Sequence, residues 1–313
     1  MKGSQSHHDN RNNAIVSNTL RGIVLLYLSA WVLSGLDASG KWLLSFGTPL
    51  ILLAWVRYVV HFLLIAAVLF PKNKFKYFRS KSLKLQLLRS IAMLLATLFL
   101  FNTLYYLPQA QATSIIFLAP LIMLAASPWL LGEKPRVSRW VAALIGFIGV
   151  LIVIRPGSGL NSTGVVFGLF TAIAFATQHM LTRRVATDHP FTTLIWSGLA
   201  SSLALTAAMP FLWTKTIDLL AIMRPMDMLL LISTGVTGAV GHLLQIQAYR
   251  HAPASVLAPF MYLQITAAAS IGWLVWGDFP DATTWVGIGI ICVSGAGIAW
   301  YEWRGQAAKS SPA

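Results

Sequence analysis

Long apolar stretches separated by short polar connections make up almost the whole chain. About ten of them follow one another, each roughly 18–23 residues long, and about 20 residues of α-helix cross the hydrocarbon core of a bilayer. They lie at residues 22–45, 49–70, 87–107, 110–131, 140–155, 163–182, 191–213, 227–247, 254–276 and 284–303. This pattern predicts an all-α integral membrane protein with ten transmembrane helices.

The composition argues against a soluble enzyme. Charged residues make up 10% of the chain and hydrophobic residues 57%, whereas a soluble domain carries about 25% charged residues. The single cysteine, Cys292, excludes an internal disulfide framework and a cysteine-based metal cluster. No set of histidines, cysteines and carboxylates has the spacing of a zinc site, so we predict neither a metal nor a cofactor.

The basic residues predict the orientation in the membrane. With the N-terminus inside, eighteen of the 23 lysines and arginines fall on the inner side and one, Arg57, falls within a span. The four on the outer side are Lys41, Arg155, Lys215 and Arg224. This bias places both termini in the cytoplasm, with residues 1–18 expected to form a disordered tail and residues 305–313 a second tail. The net charge of +14 therefore reflects membrane topology, and we expect no nucleic acid partner.

Two parts of the chain match when the sequence is shifted by 145 residues. The shift aligns Pro108 with Pro253, Gly132 with Gly277, Glu133 with Asp278, Pro135 with Pro280 and Trp140 with Trp285. Five spans separate the two copies, and an odd number of spans turns the second copy upside down. The connection at 133–136 is basic, whereas residues 277–281 contain no lysine or arginine, as opposite sides of a membrane require. We predict two inverted five-helix repeats, residues 19–157 and 158–304, an architecture typical of secondary transporters.

Four motifs resemble those of the drug/metabolite transporter superfamily, EamA type. They are residues 106–113 (YLPQAQAT), 131–135 (LGEKP), 146–157 (GFIGVLIVIRPG) and 252–262 (APASVLAPFMY). The resemblance implies a central cavity lined by the third, fourth, eighth and ninth spans together with the first and sixth. It also implies that the fifth and tenth spans serve packing. Members of the superfamily export amino acids and related metabolites, or carry S-adenosylmethionine or riboflavin.

Polar side chains on the spans implied to line the cavity are the candidate substrate-binding residues. They are Asn102, Tyr105, Tyr106, Ser114, His179, His242, Gln245 and Tyr262. These neutral or aromatic groups favour an amphipathic solute with an apolar or aromatic body and a zwitterionic or amide head. A phosphate-bearing solute would need lysine or arginine at this depth and fits poorly. The alternative for each residue is a hydrogen bond between helices, a common role for polar side chains in lipid.

Asp37 is the one acidic residue that falls well inside a span, and intramembrane carboxylates are functional candidates by default. Lys41 lies one helical turn later on the same face, so the two side chains can pair. This pair is a candidate for coupling or gating, and equally for a structural ion pair. Arg57 either pairs with Asp37 across helices or bonds to backbone carbonyls.

The sequence favours a secondary transporter that exports amino acids, including aromatic ones, across the inner membrane by alternating access. No GxxxxGK[ST] loop is present, so ATP cannot drive transport directly. Ten spans can enclose their own cavity, so the prediction requires no dimer. One alternative is an importer or exchanger of a larger metabolite such as S-adenosylmethionine or riboflavin. Another, of a different class, is an intramembrane lipid-modifying enzyme.

Overall fold

The computed structural model describes residues 2–70, 75–131, 137–155, 160–185, 187–251 and 263–310. In these ranges the chain is helical, with no β-strand. The helices are α1 (Lys2–Ser45), α2 (Leu50–Leu69), α3 (Leu83–Tyr106), α4 (Gln109–Ile116), α5 (Leu118–Leu131), α6 (Val137–Ile154), α7 (Ser162–Arg184), α8 (Pro190–Ala208), α9 (Trp213–Ile222), α10 (Pro225–His251), α11 (Leu263–Trp276) and α12 (Ala282–Ser310). Two 3₁₀ turns, Phe75–Phe78 and Met209–Leu212, lie before α3 and after α8.

Six of the described helices are long and apolar enough to cross a membrane. They are Leu20–Ser45, Leu50–Leu69, Leu83–Tyr106, Ser162–Thr182, Pro190–Phe211 and Pro225–Ala248, and three shorter apolar helices cover Gln109–Met123, Trp140–Ile154 and Ala282–Gly297. Large apolar side chains such as Leu203, Leu229 and Leu274 lie exposed on the outer surface, as contact with lipid requires. The prediction of a multi-pass, all-α membrane protein is confirmed.

Prolines and glycines set several of the helix ends. Pro49 and Pro108 immediately precede α2 and α4, and Pro190 is the first residue of α8, because the fixed φ of proline suits the first turn of a helix. Gly47 and Gly277 adopt positive φ after α1 and α11, where a residue with a side chain would be strained.

Three segments differ in extent from the sequence-based description. The helix α1 begins at Lys2, within the segment expected to be a disordered tail, and α12 continues to Ser310. The fourth predicted span is divided into α4 and α5 at Phe117. Of the predicted span 254–276, only the part from residue 263 lies within the described residues.

Several helix pairs join the first part of the chain to the second, and four of them are the most extensive. Helix α1 packs against α10, α2 against α8, α3 against α7, and α6 against α12. Glycines allow close approach in these pairs, since a Cβ atom at Gly241 would lie 2.6 Å from Leu33 Cδ2 and one at Gly164 would lie 2.7 Å from Tyr106 Cβ. The two parts of the chain are therefore packed tightly against each other.

The two helices of each pair run antiparallel, since residues that advance along one helix contact residues that recede along the other. In α1–α10 the contacts are Ser29 with Gly241 and Trp42 with Asp227, and in α2–α8 they are Trp55 with Thr206 and Phe62 with Gly198. In α3–α7 they are Arg89 with Thr182 and Thr103 with Thr171. Beside α6 and α12 they are Ala142 with Ser294 and Arg155 with Asp281.

The α6–α12 pair predicts unequal effects for two glycines of the same helix. A Cβ atom on Gly287 would lie 2.7 Å from the carbonyl oxygen of Gly149 and 2.6 Å from Val153 Cγ2, whereas one on Gly289 would meet nothing within 4 Å. We expect Gly287→Ala to force the helices apart and to lower stability by about 1–3 kcal/mol. The matched variant Gly289→Ala should change stability by less than about 1 kcal/mol, because alanine is the better helix former. Thermal unfolding of both variants in one detergent measures the difference, and equal midpoints would contradict this packing.

Candidate functional site

A cavity of about 530 Å³ lies between the two parts of the chain. Its walls come from α1, α2, α3, α4, α7, α8 and α10, together with the start of α5 and α11. Ligand pockets commonly enclose about 300–1,000 Å³ and combine apolar walls with a few polar groups. This cavity has that size and character.

Four of the predicted site residues lie on the cavity wall. They are Asp37 on α1, His179 on α7, and His242 and Gln245 on α10. The three helices contribute these side chains from different directions, so residues far apart in the sequence converge on one space.

Four other candidates do not line this cavity. The Asn102 side chain donates to the Leu98 carbonyl oxygen at 2.9 Å, and the Ser114 hydroxyl donates to the Ala110 carbonyl oxygen at 2.7 Å, so both bond within their own helices. Tyr105 is 55% exposed and packs edge-on against Tyr106, whose ring lies over Phe167. The ninth candidate position, Tyr262, lies outside the described residues.

Helix geometry explains why these α3 candidates face elsewhere. The α3 residues on the wall are Arg89, Met93, Thr97 and Leu100, whose spacing of three and four residues defines one helix face. Asn102, Tyr105 and Tyr106 lie away from that face. The sequence places all of them on one span but does not state which side of the helix meets the cavity.

Arg89 is the residue of the wall that the sequence analysis missed. The charge count placed it on the inner side at the start of the third span, but α3 begins at Leu83, so Arg89 lies well within the helix and is 7% exposed. Its Nε donates to Thr182 Oγ1 at 2.6 Å and its Nη1 to Ser197 Oγ at 2.5 Å. Its spacing from Met93 and Thr97 was the signal that could have identified it.

Arg57 also lies on the wall, and among the described residues it bonds neither to Asp37 nor to a backbone carbonyl. Its Nη1 donates to Thr97 Oγ1 at 2.5 Å, and its guanidinium lies over the Tyr58 and Phe101 rings at 5.2 and 5.8 Å. The Tyr58 hydroxyl also bonds to Thr97, at 2.7 Å. Between described residues, no salt bridge joins Arg57 to Asp37.

Three histidines lie on the helices around this region, His61 buried and His179 and His242 half-buried. The Nε2 atoms of His61 and His242 have no hydrogen-bond partner among the described residues, and the His179 ring stacks on Phe175 with centroids 6.2 Å apart. Only His179 and His242 reach the cavity wall. No group of three His, Cys, Asp or Glu side chains that could hold a metal ion was found in the described part of the chain.

One end of the cavity reaches the connection between α7 and α8, where Asp188 joins two loops. The Asp188 carboxylate accepts hydrogen bonds from the Ser80 hydroxyl at 2.5 Å, the Gln86 amide at 3.0 Å and the Lys81 backbone N–H at 3.0 Å. Partial burial raises the pKa of Asp188, but these hydrogen bonds outweigh it and the net pKa lies below its usual range. This end therefore carries an ionised carboxylate at neutral pH.

No described residue at the opposite end of the bundle lines the cavity, and ion pairs connect helices there, so we call it the closed end. Lys41 Nζ lies 3.5 Å from Asp278 Oδ2 and 4.6 Å from the centre of the Trp276 ring, so Lys41 does not form the predicted pair with Asp37. The long side chain of Lys41 reaches the α11–α12 connection instead. Helical spacing in the sequence cannot indicate this contact, because the two residues are far apart along the chain. Arg155 pairs with Asp281 and holds the pKa of that carboxyl below its usual range.

A third ion pair lies at the same closed end. Arg224 Nε donates to Asp227 Oδ2 at 2.7 Å, and the Trp42 indole N–H donates to Asp227 Oδ1 at 3.3 Å. Through Asp227, the end of α1 is tied to the start of α10. The acidic partners in these three ion pairs, Asp227, Asp278 and Asp281, all belong to the second part of the chain.

Comparison with known proteins gives a consistent family assignment. The model of the EamA-like transporter family matches residues 20–155 and again residues 162–300. The chain is 28% identical over 268 residues to the riboflavin transporter of Vibrio cholerae. This alignment covers 83% of this chain and 86% of the relative. It is 29% identical over 196 residues to the pseudopaline exporter CntI of Pseudomonas aeruginosa, covering 62% of this chain and 67% of the exporter.

Two further matches extend the comparison. The S-adenosylmethionine uptake transporter of Rickettsia bellii is 26% identical over 204 residues, covering 64% of this chain and 67% of the relative. A solved crystal structure aligns with 92% of this chain and 99% of its own at a TM-score of 0.58 and 17% sequence identity, a likeness that concerns the fold alone.

Proposed function

The chain belongs to the EamA-like transporter family, and we propose that it is a secondary transporter that moves a small organic solute across the inner membrane by alternating access. Its family and the relatives named above are transporters, not enzymes. The observation that carries the proposal is the cavity between the two parts of the chain, which reaches the α7–α8 connection while ion pairs close the other end.

The proposed scaffold consists of ten spans in two inverted repeats, residues 19–157 and 158–304. The separate family matches to 20–155 and 162–300 support two copies of one unit. The shift of 145 residues makes α6 and α12 equivalent, and these two helices pack side by side in opposite directions. Equivalent helices of opposite direction are what an inverted repeat requires.

We propose that the closed end faces outward and that the cavity mouth beside Asp188 faces the cytoplasm. Three of the four cations assigned to the outer side by sequence, Lys41, Arg155 and Arg224, form ion pairs at the closed end. The mouth lies beside Lys81, which belongs to the basic connection between α2 and α3. Positive charge on the cytoplasmic side is the rule for such connections. Both termini then lie in the cytoplasm.

Asp37 and Lys41 receive separate roles in this proposal. Asp37 lies on the cavity wall, where it can contact the solute or a coupling proton. Lys41 acts as a gate through its ion pair with Asp278, which must break for the closed end to open. Among the predicted substrate contacts, His179, His242 and Gln245 are the ones retained on the wall.

For the solute, we propose amino acids, including aromatic ones, with export as the direction. The amphipathic wall supports a solute that has an apolar body and a polar head. A second candidate is import or exchange of a larger metabolite, which is favoured by the similarity to a riboflavin transporter and an S-adenosylmethionine uptake transporter. The relatives include both an exporter and an uptake transporter, so their names do not favour either direction of transport.

Counterflow in proteoliposomes tests the proposed function. Vesicles that contain the purified chain are loaded with unlabelled amino acids, riboflavin or S-adenosylmethionine, and entry of the same labelled solute is followed. We expect transient accumulation of at least one solute above the level of protein-free vesicles, because a carrier exchanges solute without energy input. No accumulation of any solute would contradict transport, and hydrolysis or modification of lipid would favour an enzyme instead.

The positions of the two aspartates predict unequal effects on transport. We expect Asp37→Asn to lower the initial rate of counterflow about tenfold or more, the result of losing one charge-assisted contact of roughly 1.5–3 kcal/mol. Asp278→Asn removes the charge that pairs with Lys41, and because this pair lies outside the cavity the variant should have the smaller effect. Both variants are measured at equal amounts of reconstituted protein. Equal rates in the two variants would remove Asp37 from the mechanism.

A further inference from the structure

Two guanidinium groups, those of Arg57 and Arg89, lie on the wall of the cavity. Each side chain is 7% exposed, and both belong to membrane-spanning helices. Guanidinium groups stay charged in proteins, and a charge at this depth is unfavourable unless it is paired or hydrogen-bonded. The question is what satisfies these two cations.

The protein provides only part of what Arg89 can bind. A guanidinium has five N–H donors, and Arg89 uses one toward the Thr182 hydroxyl and one toward the Ser197 hydroxyl. Its other donors have no acceptor among the described residues. The two hydroxyls fix the orientation of the group, but they are neutral and leave its charge uncompensated.

Arg57 is in a similar position deeper in the cavity. Its one protein acceptor among the described side chains and carbonyls is Thr97 Oγ1, and aromatic rings cover one side of the group. His242 on α10 lines the same cavity. The two arginines and His242 therefore line one cavity, and each guanidinium has N–H donors with no acceptor among the described residues.

The carboxylates of the wall form no salt bridge with these groups in the described part of the chain. Within the described ranges no salt bridge involves Arg57 or Arg89, although Asp37 lies on the same wall. Asp188, at the mouth, is already bonded to Ser80, Gln86 and Lys81. An anionic group from solution would supply the missing acceptor.

We propose that the solute carries a carboxylate and that Arg89 and Arg57 bind it. The planar fork of a guanidinium matches the two oxygens of a carboxylate and can donate two parallel hydrogen bonds to it. The remaining wall supports an apolar body, since Leu33, Leu36, Leu100 and Phe117 line the same space. Asp37, also on the wall, is placed to receive an ammonium group of the same solute.

This assignment rests on the proposed transport function and narrows its substrate class. It also revises the sequence-based description of the wall as neutral, because two arginines lie where none was expected. Arg89 is nearer the mouth, since it bonds to Thr182 close to the end of α7, and Arg57 lies deeper beside Thr97, eight residues further along α3. A carboxylate that enters from the mouth meets Arg89 first.

The first experiment compares solutes that differ only in the carboxylate. The probes are L-phenylalanine with L-phenylalaninamide, L-methionine with L-methioninamide, and riboflavin as an uncharged metabolite. Binding to the full chain in lipid nanodiscs is measured as the concentration that produces half-maximal thermal stabilisation. We expect an acid to bind at least about tenfold more tightly than its amide, the effect of a charged hydrogen bond. Equal binding of acid and amide, or binding of riboflavin alone, would overturn the assignment.

The second experiment removes each guanidinium. Arg89→Gln and Arg57→Gln should bind the acid about tenfold more weakly and leave the amide within about twofold, because only the acid uses the charge. Arg89→Lys keeps a charge without the fork, so an intermediate preference is expected. The matched control is Arg79→Gln, an exposed arginine outside the cavity, which should retain the full acid preference. A uniform loss for acid and amide would indicate a structural role and contradict the proposal.

The outcomes separate this inference from the proposed function. Acid-selective binding without counterflow would reject transport and leave the carboxylate site intact. Counterflow of amides or riboflavin at the rate of the acids would support transport and reject the site. If an arginine variant fails to fold, the comparison of acid with amide on the unmodified chain still tests the site. If none of the acids in the panel binds, the site is rejected.

Discussion

Burial of positive charge inside a bilayer is the constraint that organises this protein. Arg57 and Arg89 are enclosed by helices that cross the membrane, and water is not available on the lipid side to solvate them. Hydroxyls from Thr97, Thr182 and Ser197 converge on the two groups from three helices. Polar side chains that would be unfavourable against lipid thus collect on one inner surface, and that surface becomes the wall of the cavity.

The position of the cavity follows from how the two parts of the chain meet. Antiparallel pairs such as α3–α7 and α1–α10 hold the parts together along the bundle, with glycines at the closest approaches. The cavity lies between these pairs, so a change in their relative tilt would alter both of its ends. At one end the Lys41–Asp278 and Arg155–Asp281 ion pairs connect the two parts, and at the other the Asp188 carboxylate connects the α7–α8 connection to the start of α3. A central site with two distinct ends is the geometry that alternating access requires.

The helices themselves could be predicted from the sequence, because lipid imposes a length and a composition on each span. The sequence also indicated Asp37, His179, His242 and Gln245, since a polar residue in an apolar span has few alternatives to an interior position. It did not indicate which face of α3 points inward, because Asn102 and Tyr105 are as polar as Thr97 and the rotation of a helix depends on its neighbours. Arg89 was missed because a basic residue near the cytoplasmic start of a span is ordinarily a topology signal, and the partner of Lys41 was missed because it lies in a distant connection.

The relation between the two parts of the chain is the central claim, and labelling from the two sides of the membrane tests it most directly. Positions 134 and 279 are equivalent under the shift of 145 residues, and each can be changed to cysteine after Cys292→Ser removes the native thiol. A membrane-impermeant maleimide applied to intact cells should label Phe279→Cys, and Lys134→Cys should react only after the membrane is opened. Labelling of both positions from the same side would contradict the inverted arrangement, and with it the shared cavity on which the proposed transport depends.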